Sequence, residues 1–159
     1  MSIKATGGNM KFGVFEHMDD SGVPLGEQIE NRMRLAEAYD RHGFYAYHLA
    51  EHHGTPLGLA PSPGLFMDAV AQRTKRLRFG PLVYLLPLYH PLRLIEEICM
   101  LDQMSGGRLE VGVGRGVSPI EVGFFGVDAA NGPNRKRFVR CATAARNTPG
   151  EGARPSGVP

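Results

Sequence analysis

The feature that most constrains this chain is an alternation of apolar strand-like runs with one amphipathic helix between residues 11 and 53. Lys11-Phe12-Gly13-Val14-Phe15 alternates apolar residues and predicts a strand, and Asp19 to Pro24 predicts a loop. From Glu27 to Arg41, Ile29, Met33, Ala36 and Tyr39 recur at three- and four-residue spacing among charges, predicting a helix that Gly43 stops. Phe44 to Leu49 predicts a second, buried strand. A strand, helix and strand within this length form a βαβ unit, which makes the two strands parallel. The second strand runs straight into Glu51-His52-His53. Titratable side chains there pack badly but suit a pocket, because α/β folds bind ligands at the carboxyl ends of their strands.

The alternation continues. Gly54 to Pro63 predicts a loop, Gly64 to Thr74 a short helix, and Leu77 to Leu86 a third strand. Pro91 to Met104 predicts a helix with proline in its first turn and Ser105-Gly106-Gly107 as its stop. Arg108 to Val113 predicts a fourth strand, followed by the loop Gly114-Arg115-Gly116-Val117. Strands and helices at this spacing predict either a (β/α) barrel or a doubly wound sheet. Beyond about Gly126 the texture changes. Ala142 to Pro159 has one large apolar residue, Val158, too little to offset the entropy of ordering, and the composition resembles wrong-frame read-through of a GC-rich gene.

A length of 159 residues suits one domain, and a formal charge of +2 gives no argument for nucleic acid or an anionic membrane. No apolar run reaches the ~20 residues that span a bilayer, and no signal-peptide core is present, which predicts a soluble cytoplasmic protein. Cys99 and Cys141 lack metal-ligand spacing, and Cys99 reads as a buried free thiol in the third helix.

His52 and His53, adjacent on an extended segment, point to opposite faces, so one of them enters the pocket. His48 lies at least four residues back and completes no zinc set, so no metal is expected. For His52 two readings stand: an imidazole bonded to nearby backbone, or a general acid/base tuned by Glu51 or by burial. His90 reads as a cap before Pro91. Arg115 is either solvated or free to meet an anion or a planar ring. Gly112-Val113-Gly114-Arg115-Gly116 lacks the further glycine and the acidic partner of a dinucleotide-binding loop.

The ordered set Met10-Lys11-Phe12-Gly13, Gly43-Phe44, Glu51-His52-His53, Leu86-Pro87-Leu88-Tyr89-His90-Pro91, Leu101-Asp102-Gln103-Met104-Ser105-Gly106-Gly107-Arg108, Gly114-Arg115-Gly116 and Phe125-Gly126 resembles the N-terminal half of the bacterial luciferase-like flavin monooxygenases. The resemblance implies a TIM-type (β/α)8 barrel of which about the first four βα units are present, residues 10–128. Residues 1–9 would be a disordered leader and 129–159 a disordered or frameshifted tail of a truncated chain. It implies reduced FMN, with F420 as the alternative, acting with O2 on a small organic substrate and supplied by a flavin reductase. By resemblance His52 is the catalytic acid/base, and Glu51, Leu82, Val83, Arg115 and Val117 contact the flavin. Leu82-Val83 forms a ledge under the ring, where the family often has a cis peptide. Gly114 stands where the luciferase catalytic subunit has a reactive cysteine, and the family's phosphate-holding arginine has no clean match near Pro133, Arg135 or Arg137. A half barrel with open strand edges also invites self-association or pairing with a full-length relative.

Overall fold

The computed structural model describes residues 10–116 and 118–127. The expected leader (1–9), the expected tail (129–159) and Val117 lie outside the described residues. In chain order the elements are β1 (Gly13–Glu16), α1 (Leu25–Arg41), β2 (Ala46–Leu49), α2 (Pro63–Arg73), β3 (Arg78–Pro81), β4 (Tyr84–Leu85), a 3₁₀ turn (Leu86–Leu88), α3 (Pro91–Ser105), β5 (Val113–Gly114) and α4 (Pro119–Phe124).

The pairing is parallel throughout, as the βαβ spacing requires. Val14 lies opposite Tyr47, Tyr47 opposite Phe79, and Tyr84 opposite Val113. Each strand lies beside the one before it, β1-β2-β3, with no reversal of order. A doubly wound sheet reverses at its switch point, whereas a barrel advances in one direction. The sequential order therefore selects the barrel-type reading of the two that the spacing allowed.

Tyr47, Leu49 and Phe79 form one core with Met33 and Ala36 of α1, Phe66, Met67 and Val70 of α2, and Leu101 of α3. All three helices thus cover the same face of the sheet. On the other face Phe15 is 50% exposed and His48 half-buried.

Several boundaries differ from the sequence reading. β1 begins at Gly13 rather than Lys11 and reaches Glu16. β2 begins at Ala46 rather than Phe44, although Tyr45 already bonds on both sides, its N–H to Phe12 O (2.7 Å) and its carbonyl to Arg78 N (3.1 Å). The third strand, expected to be continuous, is two pieces, β3 and β4. Pro81 has no N–H to give to a ladder, and the peptide bond between Leu82 and Val83 is cis.

The fourth strand is regular only at Val113–Gly114, yet residues 108–112 still run beside the third. Phe79 N–H donates to Arg108 O, Glu110 N–H to Phe79 O and Gly112 N–H to Pro81 O, at 2.8 to 3.2 Å. This approach is close enough that a Cβ on Gly80 would lie 1.6 Å from Glu110 O. Cys99 is exposed, not buried. The buried positions of α3 are Pro91, Leu94, Leu101 and Ser105, with Ile98 partly covered, and the next residue on lies about 100° round the helix from that stripe.

Candidate active site

The β2 alternation, carried past Leu49, turns Glu51 toward the helices and His52 to the other face. The Glu51 side chain is wholly buried. It accepts from Leu85 N–H (2.9 Å) and meets His53 Nε2 (2.8 Å), with a further bond from Tyr89. Burial raises its pKa above the usual carboxylate range, against the opposing effect of these donors. Burial likewise raises the Tyr89 hydroxyl, beside the Glu51 charge. His53 lies edge-on to Phe125 at 4.8 Å between ring centres. The two histidines therefore do diverge, and it is His53 that Glu51 holds.

His52 faces a cavity of about 390 Å³ at the carboxyl ends of the strands. Phe15 and His17 wall it from the end of β1, Ala50, Glu51 and His52 from β2, and Leu82, Val83 and Leu85 from the third strand. Gly114, Arg115 and Gly116 close it from the β5 loop, and Glu121 from α4. The size and the mainly apolar wall suit a small-molecule site. Five of the six residues expected to meet a cofactor or substrate (Glu51, His52, Leu82, Val83 and Arg115) thus line one cavity, and Val117 lies outside the described residues.

Among the described residues, His52 is bonded neither to backbone nor to Glu51, the two partners the sequence suggested. Its Nδ1 lies 3.0 Å from Glu121 Oε1 and its Nε2 3.2 Å from His17 Nδ1. His17 and His52 stack, ring centres 5.2 Å apart and planes 17° from parallel. His48 is not among the cavity-lining residues. Its Nε2 lies 3.4 Å from Glu110, which also accepts from Arg78 and Tyr45, and burial lowers its basicity. His90 occupies the N-cap position of α3 without a side-chain capping bond. Among the described residues no three His, Cys, Asp or Glu side chains gather as a metal site, and no helix is long and apolar enough to cross a membrane.

Sequence reasoning missed Phe15, His17 and Glu121. His17 follows the first strand just as His52 follows the second, so the same strand-end rule applied to β1 finds it. Glu121 carries a different signal: Ser118-Pro119-Ile120-Glu121 has the Ser-x-x-Glu spacing of a capping box. The Glu121 N–H does bond Ser118 Oγ (3.3 Å), but its carboxylate turns to His52. Gly114 also has a steric reason, because a Cβ there would stand 2.6 Å from Val83 Cγ2.

Residues 10–139 match the family described as luciferase-like monooxygenase. The chain belongs to that family. An uncharacterized protein of Sinorhizobium fredii, y4wF, is 61% identical to this luciferase-like chain over 119 residues, 75% of this chain and 35% of y4wF. The oxygenase component of a flavin-dependent trigonelline monooxygenase from Acinetobacter baylyi is 35% identical over 114 residues, 70% of this chain and 32% of the relative. The oxygenating constituent of 3,6-diketocamphane monooxygenase from a Pseudomonas putida plasmid, solved with FMN, superposes with a TM-score of 0.76 at 26% identity, covering 85% of this chain and 38% of that one. The luciferase-like chain thus spans about a third of the length of the curated relatives it matches.

Proposed function

We propose that this chain carries the flavin-facing part of a flavin-dependent monooxygenase, its described elements forming the opening four βα units of the barrel. The observation that carries the reading is the cavity itself: an apolar pocket at the carboxyl ends of parallel strands, with two imidazoles, His17 and His52, on its wall. The residues fit a flat aromatic cofactor. Leu82 and Val83 offer an aliphatic ledge, Gly114 and Gly116 remove side chains from the approach, and Arg115 supplies a guanidinium able to meet an anion or stack on a ring. FMN is favoured over F420 because the Pseudomonas putida relative was solved with FMN. Reduced FMN, when bound, would supply the electrons that activate O2 for transfer to a small organic substrate.

The remaining work falls to the chain. Phe15, Leu82, Val83 and Leu85 exclude water from the pocket. His52 gives and takes a proton at Nε2, its other nitrogen being held by Glu121. Glu51 fixes the wall by tying the end of β2 to Leu85 of β4. A flavin reductase would deliver the reduced cofactor, by analogy with the trigonelline monooxygenase, which is itself named as an oxygenase component.

The test is an anaerobic titration of the chain with reduced FMN, followed by equilibrium dialysis. Binding tighter than about 1 mM is expected, and Leu82→Asp and Arg115→Ala should each weaken it about tenfold, equivalent to about 1.4 kcal/mol. Absence of binding in that range, or indifference to both substitutions, overturns the reading for this chain.

A further inference from the structure

We propose that Glu121, His52 and His17 form a proton relay, with Glu121 as a positioning residue that fixes the His52 tautomer and His17 as the link between His52 and solvent. The inference deepens the reading of His52 as the acid/base of the cavity and rests on it for its purpose. Its geometry stands separately.

The three side chains come from three elements: His17 from the end of β1, His52 from the end of β2 and Glu121 from the first turn of α4. Local sequence does not bring them together, since His52 is 35 residues from His17 and 69 from Glu121. Glu121 is 5% exposed, so its carboxylate is withdrawn from water and directed to one partner. An ionised carboxylate only accepts, so the 3.0 Å contact assigns the neutral ring's proton to His52 Nδ1. The Nε2 lone pair is then the working nitrogen, and it faces His17 Nδ1 at 3.2 Å.

His17 is exposed, and its ring also lies edge-on to Phe15 at 4.9 Å. The chain just beyond it is held firmly. Met18 takes φ 54°, a left-handed conformation unusual for a bulky residue, with its side chain buried and its carbonyl bonded by Leu59 N–H at 3.0 Å. The core therefore dictates where β1 ends and where His17 stands.

The titratable groups around His52 are few. Glu51 is turned to His53, Leu85 N–H and Tyr89, Arg115 lines the cavity from the β5 loop, and Glu121 and His17 flank the ring. A proton arrives when doubly protonated His17 breaks its Nδ1–H bond and one N–H bond forms at His52 Nε2. His17 is left neutral with its proton on Nε2, and the His52 imidazolium lies against the Glu121 carboxylate. A molecule in the cavity that displaces the exposed His17 ring takes the same proton from the same nitrogen.

The experiment is imidazole nitrogen NMR on the whole chain, labelled at histidine, across the pH range where histidines titrate and without flavin. The expected spectrum shows neutral His52 as the Nδ1–H tautomer, with His17 and His52 titrating as a coupled pair in two steps. His17→Phe should reduce this to one step, and Glu121→Gln should shift His52 toward the Nε2–H form. Neutral His52 with its proton on Nε2 in the unaltered chain overturns the relay, and this reading needs no variant to fold. An unchanged His52 titration in His17→Phe also overturns it. The reduced-FMN titration is separate: flavin binding with uncoupled histidines sinks the relay alone, and coupled histidines without flavin binding support the relay and sink the flavin reading.

Discussion

Glu51 shows how one buried carboxylate can report on the site without flavin. Burial raises its pKa above its ordinary value of 4.5. A raised value means that the folded chain binds this proton more tightly than the unfolded chain. The resulting stabilisation is complete below about pH 4.5 and is lost as pH rises through the folded pKa. Relative to Glu51→Gln, the unaltered chain should therefore lose stability with rising pH, by at most about 1.4 kcal/mol per pH unit. Urea unfolding of both proteins at about pH 4 and about pH 7 reads the difference, and a constant gap would refute it. Residue type and place in Glu51-His52-His53 were legible from the sequence, as was the divergence of the two rings. Their partners were not, because Glu121 and Leu85 meet this segment only after the later elements fold back onto it.

At the scale of elements, Arg108 joins the ends of two helices to the third strand. Its guanidinium donates to Ala71 O (2.7 Å), Leu77 O (3.0 Å) and Thr74 Oγ1 (2.8 Å), and its Nε to Ser105 O (2.8 Å). It also lies 5.1 Å over the Phe79 ring. It thereby satisfies carbonyls at the C-terminal ends of α2 and α3 and fixes both to the third strand. Arg108→Ala should cost about 3 kcal/mol, since charged hydrogen bonds are lost and buried carbonyls are left without donors. Arg108→Lys should recover less than half, because an ammonium cannot reproduce the planar fork. Urea midpoints decide it, and equal stability of the Lys variant and the unaltered chain would contradict the argument.

For the whole molecule, the decisive feature among the described residues is a parallel sheet whose helices α1, α2 and α3 share one face. Parallel sheets are ordinarily covered on both faces. Among the described residues β1 pairs only with β2 and β5 only with β4. Phe12 (63%), Leu82 (44%) and Val113 (54%) are among the exposed apolar residues near those edges and the cavity. Open edges and apolar surface of this kind favour association. The chain should sediment as a species larger than a monomer at micromolar concentration, and a compact monomer would exclude self-pairing of this face.

Legible in the amino-acid order alone were the alternation of strands and helices, their parallel pairing, the family and the strand end at which the cavity opens. The alternation and the pairing rest on local physics, namely hydrophobic period, helix stops and the short span that forces a crossover, and the family rests on the ordered motif set that resembles it. The packing of distant elements chose between a barrel-type order and a doubly wound one and set Glu121 and His17 against His52. Those outcomes depend on contacts between residues tens of positions apart, whose geometry is fixed by how helices pack on the sheet and which no local pattern encodes.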